Sequence, residues 1–124
     1  MARTAFVTGA AGGLGGATTR LLADRGWEVL AADLPGPALE ALEDHPRVHP
    51  VPVDVTDADS VAHAGAVVPD AGLDAVVTFA GVLRVGSVAE IAEDDLRLVL
   101  DVNLLGTYRV VRAPVSYTHL TLPT

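Results

Sequence analysis

Thr4-Ala5-Phe6-Val7-Thr8-Gly9-Ala10-Ala11-Gly12-Gly13-Leu14-Gly15 decides how the rest of the chain is read. Five residues of strand character run directly into a glycine-rich turn, and a helical pattern follows. Gly13 to Arg25 reads as a helix, with Leu14, Ala17, Leu21 and Leu22 on one face and Gly26 as its stop signal. Glycines allow a sharp turn and a close approach to a bound group, because no Cβ stands in the way. The helix start beyond them offers free N–H groups and the positive end of a dipole, which suit a pyrophosphate. A tight turn that needs glycine only for packing is the competing reading. The strand–loop–helix context favours a dinucleotide site.

Outward from this loop, strands and helices alternate. Trp27 to Ala32 is a second strand, Ala38 to Asp44 a short helix after Pro35-Gly36-Pro37, and Arg47 to Val53 a third strand. Thr56 to Val68 reads as a helix opened by Thr56 with Asp59 three residues on, a capping-box pattern. Leu73 to Phe79 is a largely apolar run, apart from Asp74 and Thr78, and reads as a strand buried on both faces of a parallel sheet. A long helix spans about Glu93 to Arg112, with Leu96, Val99, Leu100, Asn103, Thr107, Val110 and Val111 on one side. This order predicts an α/β fold, the N-terminal half of a doubly wound parallel sheet with strand order 3-2-1-4. A ligand belongs at the switch point between the first and fourth strands.

Composition narrows the function. The 124 residues carry a net charge of −8, contain no Cys and are half apolar. That is one small globular domain by length and composition. The acidic balance argues against nucleic acid and anionic membrane surfaces as partners. The absence of Cys removes disulfides, thiolate zinc sites and a Cys nucleophile. No stretch reaches the 18 to 20 apolar residues of a membrane span, and the N-terminus does not read as a signal peptide, so the expected location is the cytoplasm. All eight basic residues are Arg; there is no Lys. His45 and His49 are kept from converging by Pro46 and Pro50, so no metal site is expected.

Asp33 closes the second strand. A carboxylate there can accept hydrogen bonds from both adenosine ribose hydroxyls and repels a 2′-phosphate. Leu34 and Pro35 follow it rather than Arg or Lys, so NAD is expected in preference to NADP.

At this point the chain resembles the short-chain dehydrogenase/reductase family. Thr8, Gly9, Gly13 and Gly15 match its T-G-x(3)-G-x-G loop, although Gly9, Gly12 and Gly15 also fit the loop of the extended branch. Later motifs select the shorter branch. Asp54-Val55 looks like the pair that contacts adenine. Val77-Thr78-Phe79-Ala80-Gly81 stands where the family has N-N-A-G, and Asp101-Val102-Asn103-Leu104-Leu105-Gly106 looks like D-V-N-x-x-G. The resemblance covers Ala2 to about Pro114. It implies Gly9, Gly13, Leu14 and Gly15 at the pyrophosphate, Asp33 at the ribose, Asp54 and Val55 at the adenine, and Ala80 and Gly81 beside the nicotinamide. It also implies a hydride exchange between NAD(H) and a small alcohol or ketone, and a homo-oligomer when the protein is complete. Asn103 corresponds to the catalytic tetrad's Asn, which in the family holds a water in a proton relay. Phe79 replaces an Asn whose amide normally ties the fourth strand to neighbouring backbone.

The tetrad's Ser, Tyr and Lys are absent. Tyr117 has Thr121 four residues on, and Tyr108 has Arg112 there but precedes the place of the Ser. Val115 to Thr124 has no charge apart from a protonatable His119 and does not resemble the strand that follows in the family. The expectation is a partial NAD-binding domain over residues 1–114, with a tail of foreign origin over 115–124. A non-catalytic NAD-binding sensor or subunit module is the alternative.

Overall fold

The computed structural model describes residues 2–117. Four strands form one parallel sheet in the order β3-β2-β1-β4. They are β1 (Thr4–Thr8), β2 (Glu28–Asp33), β3 (Val48–Pro52) and β4 (Ala75–Thr78). β1 lies at the centre, with Val7 opposite Ala31 of β2 and Val77 of β4. All five β1 residues are buried, as a central strand covered on both faces requires. One face packs Val7, Val29, Ala31 and Leu39, and the other packs Phe6, Leu30, Val51 and Val110.

The helices are α1 (Gly13–Asp24), α2 (Pro37–Glu40, continued as a 3-10 turn over Ala41–Asp44), α3 (Ala58–Gly65), α4 (Glu93–Leu100) and α5 (Thr107–Tyr117). Between the last two, Asp101–Gly106 is a π-helical segment. The expected single helix therefore has a wide turn within it, and it runs past Arg112 to Tyr117. The remainder of the expected foreign tail, residues 118–124, lies outside the described residues.

Several faces differ from the sequence reading. In α1 the residues against the sheet are Gly15, Thr19 and Ala23. Leu14 (74% exposed) and Leu21 (50%) point outward, contrary to the apolar stripe expected of them. Small residues on this face let the helix start lie directly on the Gly9-Ala10 backbone. On the long helix the buried positions among residues 93–113 are Val102, Gly106 and Val110, at a spacing of four. Leu96, Leu100, Asn103 and Val111 are exposed rather than on a buried side. β4 is half-buried along its length, not buried on both faces, because β1 is its one pairing strand among the described residues. α3 is capped by Asp57, whose carboxylate accepts the N–H of Asp59 and Ser60. Thr56 cannot cap it, since its hydroxyl is committed to Asp54.

Candidate nucleotide site

The carboxyl ends of the four strands open into a cleft with a cavity of about 220 Å³. Parallel strands all deliver their following loops to this edge, which is why residues far apart in sequence meet there. The cleft is lined by Thr8, Gly9 and Gly12 after β1, Asp33 and Leu34 after β2, Asp54 to Thr56 after β3, and Phe79 to Val82 after β4. Of the residues expected at a cofactor, Thr8, Gly9, Asp33, Asp54, Val55, Ala80 and Gly81 therefore converge. Gly13, Leu14 and Gly15 form the first turn of α1, adjoining Gly12 at the cleft wall.

The loop's glycines are not equivalent. Gly9 has φ +67°, and a Cβ there would sit 2.6 Å from the Phe79 backbone carbon. A Cβ on Gly15 would sit 2.0 Å from the Gly9 carbonyl oxygen. Both positions are closed to larger residues by the fold itself. A Cβ on Gly13 would meet nothing within 4 Å. The protein's own packing gives no reason for glycine there, whereas a group seated against the helix start would. α1 has no side-chain cap and no acidic residue in its first turn, unlike α3. Its N-terminus is electrically and sterically open to an anion. The residues thus fit a pyrophosphate.

Asp33 is held on the cleft wall by two amides. Ala11 N–H donates to its Oδ2 at 2.9 Å and Leu34 N–H to its Oδ1 at 2.7 Å. The glycine loop and the acid at the end of β2 are thereby fixed to each other. The loop backbone is tied to the sheet as well, through Ala10 N–H to the Ala32 carbonyl at 3.1 Å. Asp54 accepts from both the hydroxyl and the amide of Thr56, at 2.6 and 2.9 Å. Those two bonds, aided by the Arg109 charge, hold its carboxyl below the ordinary Asp pKa against the opposing cost of burial.

Phe79 does not interrupt the fourth strand. The β1–β4 pairing runs through Thr8 opposite Thr78. Beyond it Phe79 N–H donates to the Thr8 carbonyl at 3.1 Å, and Ala80 N–H to the Thr8 hydroxyl at 3.3 Å. Backbone and a Thr side chain carry the anchoring where an Asn amide is absent.

Asn103 sits in the π segment, outside the cleft lining, and acts on its rim. Its Oδ1 accepts the Val82 N–H at 2.8 Å, and its Nδ2 donates to the Val82 carbonyl at 2.9 Å. Both side-chain polar atoms are spent on the loop after β4, where the amide fixes Val82 in place. The backbone carbonyl of Asn103 accepts the Thr107 hydroxyl at 3.0 Å. Tyr108 lies elsewhere. It lines a groove between α3 and α5, and its oxygen accepts from Arg112 Nη1 at 2.7 Å. A Tyr–Arg substitute for the missing pair is therefore not at the cleft.

Sequence reasoning missed Thr56, Val82 and Arg109. Arg109 donates to the Val55 carbonyl at 2.9 Å, a contact that spans 54 residues and leaves no local signal. The histidines pair separately, His45 with Asp24 and His49 with Glu28. Among the described residues no three His, Asp or Glu side chains are grouped to hold a metal ion. No helix among them is long and apolar enough to cross a membrane.

Comparison with known proteins agrees with this geometry. The short chain dehydrogenase family model matches residues 3–119. A 3-oxoacyl-(acyl-carrier-protein) reductase of Thermotoga maritima is 35% identical, covering 93% of this chain and 50% of its own length. A D-threitol dehydrogenase of Mycolicibacterium smegmatis is 36% identical, covering 90% of this chain and 45% of its own. Among solved structures, a variant of actinorhodin polyketide ketoreductase with NADPH superposes with a TM-score of 0.88 at 25% identity, covering 94% of this chain and 47% of that one. The chain thus spans about half the length of the curated relatives it matches.

Proposed function

The chain belongs to the short-chain dehydrogenase family, and from that premise we propose that it is the NAD-binding portion of an oxidoreductase. The full-length protein would move hydride between the nicotinamide and a small alcohol or ketone. The carrying observation is the convergence of three features on one cleft: an uncapped helix start, a tethered Asp33 and a wall of Ala80 and Gly81. Gly9, Gly13, Leu14 and Gly15 take the pyrophosphate, Asp33 the adenosine ribose, Asp54 and Val55 the adenine, and Ala80 and Gly81 the nicotinamide side. When bound, the cofactor supplies the hydride chemistry. The chain's residues bind and orient it, and Asn103 holds the rim loop beside the nicotinamide end. The negative Asp33 and the lack of a nearby Lys favour NAD over NADP.

Catalysis is not assigned to these 124 residues. They contain no Lys, so the cation that lowers the catalytic Tyr pKa in the family is not among them. The alternative reading is a non-catalytic NAD-binding module. The two part at the coding DNA downstream of Pro114. A Ser followed by Tyr-x-x-x-Lys in frame supports the enzyme, with residues 115–124 foreign to it. A genomic frame that encodes residues 115–124 and then stops supports the module. A cytoplasmic location and homo-oligomerisation of the complete protein belong to the same proposal.

Calorimetric titration tests the cofactor assignment. NAD should bind more tightly than NADP, and Asp33→Asn should narrow the gap by weakening NAD and admitting the 2′-phosphate. Tighter binding of NADP by the unsubstituted chain would overturn the role given to Asp33.

A further inference from the structure

The cleft has two ends, set by strand order. The loops after β2 and β3 hold Asp33 and Asp54-Val55 at one end, and the loops after β1 and β4 hold Gly9 and Ala80-Gly81 at the other. The π segment and the first turn of α5 reach both. Asn103 grips Val82 at the second end. Six residues on, Arg109 reaches the first.

One nitrogen of Arg109 does this work. Its Nη1 donates to the Val55 carbonyl at 2.9 Å and to the Asp101 Oδ1 at 2.6 Å, with the Asp101 carbonyl further off at 3.4 Å. The Asp101 carboxylate therefore aims the guanidinium, and the guanidinium holds the Val55 backbone. The Arg109 side chain is 23% exposed and that of Asp101 36%, so water screens the pair in part. Val55 is also gripped through its side chain. A Cβ on Gly106 would sit 2.7 Å from Val55 Cγ2, so the helix backbone packs directly on it. The wide turn makes both contacts from one helix. Asp101 and Arg109 bracket Gly106; Arg109 and Gly106 meet Val55, and Asp101 reaches it through Arg109.

We infer that Arg109, aimed by Asp101, is a positioning residue for the adenine end of the site: it fixes the Val55 backbone, and with it the cleft wall that receives the adenosine half of the ligand. The inference rests on the nucleotide reading above and names a residue that reading does not use. Arg109 does not line the cleft itself and acts through Val55.

Half-ligands separate this role from a purely structural one. AMP probes the adenine end, and nicotinamide mononucleotide probes the other. Both are titrated into the full chain while amide resonances are followed. Arg109→Met should weaken AMP about tenfold, the fold-change for loss of a charged hydrogen bond partly passed to the ligand. It should leave nicotinamide mononucleotide within about twofold. Arg109→Lys should regain part of the AMP affinity, and Asp101→Asn should lose it in the same direction with a smaller change in fold stability. Unchanged AMP binding in all three variants would overturn the inference and leave the nucleotide reading standing. An equal loss of both half-ligands, or loss of the fold in all three, would also overturn it, by making Arg109 a general structural residue. An unsubstituted chain that binds neither half-ligand would remove the nucleotide reading itself.

Discussion

Replacing Gly13 with Ala should make the protein more stable and a worse binder. The added methyl meets nothing within 4 Å, and Gly13 is not among the positive-φ glycines. Ala at a compatible position stabilises by about 0.4–1 kcal/mol, mainly by restricting the unfolded chain. For a chain of this length that raises the melting temperature by roughly 2–5 °C. The ligand contribution moves the other way. At a free NAD concentration of 100 times Kd, binding adds about 2.7 kcal/mol. If the methyl occupies the approach of the pyrophosphate and weakens binding tenfold, the same NAD concentration adds only about 1.4 kcal/mol. Thermal melts with and without NAD read both effects in one experiment. The apo transition should rise, and the shift produced by NAD should fall to about half. An undiminished NAD shift would refute the assignment of Gly13 to the ligand. A lower apo transition would refute the claim that the fold itself has no use for glycine there. Gly15→Ala is the control of opposite sign: its Cβ lies 2.0 Å from the Gly9 oxygen, so the apo protein should lose about 1–3 kcal/mol or more.

Two further outcomes concern the loop after β3. Asp57→Ala removes the cap of α3 and should cost about 1 kcal/mol in urea unfolding, whereas a Thr56 cap would leave it near zero. Thr56→Val removes the hydroxyl that holds the Asp54 pKa down. A depressed carboxyl stabilises the fold above its unfolded pKa and loses that contribution as pH falls through its folded pKa. The unsubstituted chain should therefore exceed the variant by about 1 kcal/mol at neutral pH, after allowance for partial solvent screening. The difference should shrink below about pH 4 and vanish once Asp54 is protonated in both. A difference that persists in strong acid would separate Thr56 from the Asp54 charge.

The sheet was legible because its signals are local. Gly9 to Gly15 between a strand and a helix, Asp33 at the end of the next strand and Asp54 after the third each announce a loop at the same sheet edge. Tertiary contacts hid the rest. Leu14 and Leu21 have helical spacing, yet the close approach demanded at Gly15 turns Thr19 and Ala23 inward instead. Thr56 has the spacing of a cap, but its hydroxyl is consumed by Asp54 and the cap moves to Asp57. A period of 3.6 does not reveal a π segment, so it places Asn103 on a buried side and gives no signal for Arg109. The same segment packs Gly106 onto Val55.

The central claim is that one cleft at the carboxyl edge of the sheet binds NAD along its length. Amide chemical-shift mapping on the isotope-labelled 124-residue chain tests it most directly. Adding NAD should move the resonances of Gly12 to Leu14, Leu34, Val55 and Ala80 to Gly81 together, with one common binding curve. The helical face of Leu96, Leu100 and Tyr108, away from the cleft, should stay fixed. No saturable shift at the glycine loop, or shifts centred on that helical face instead, would contradict the account.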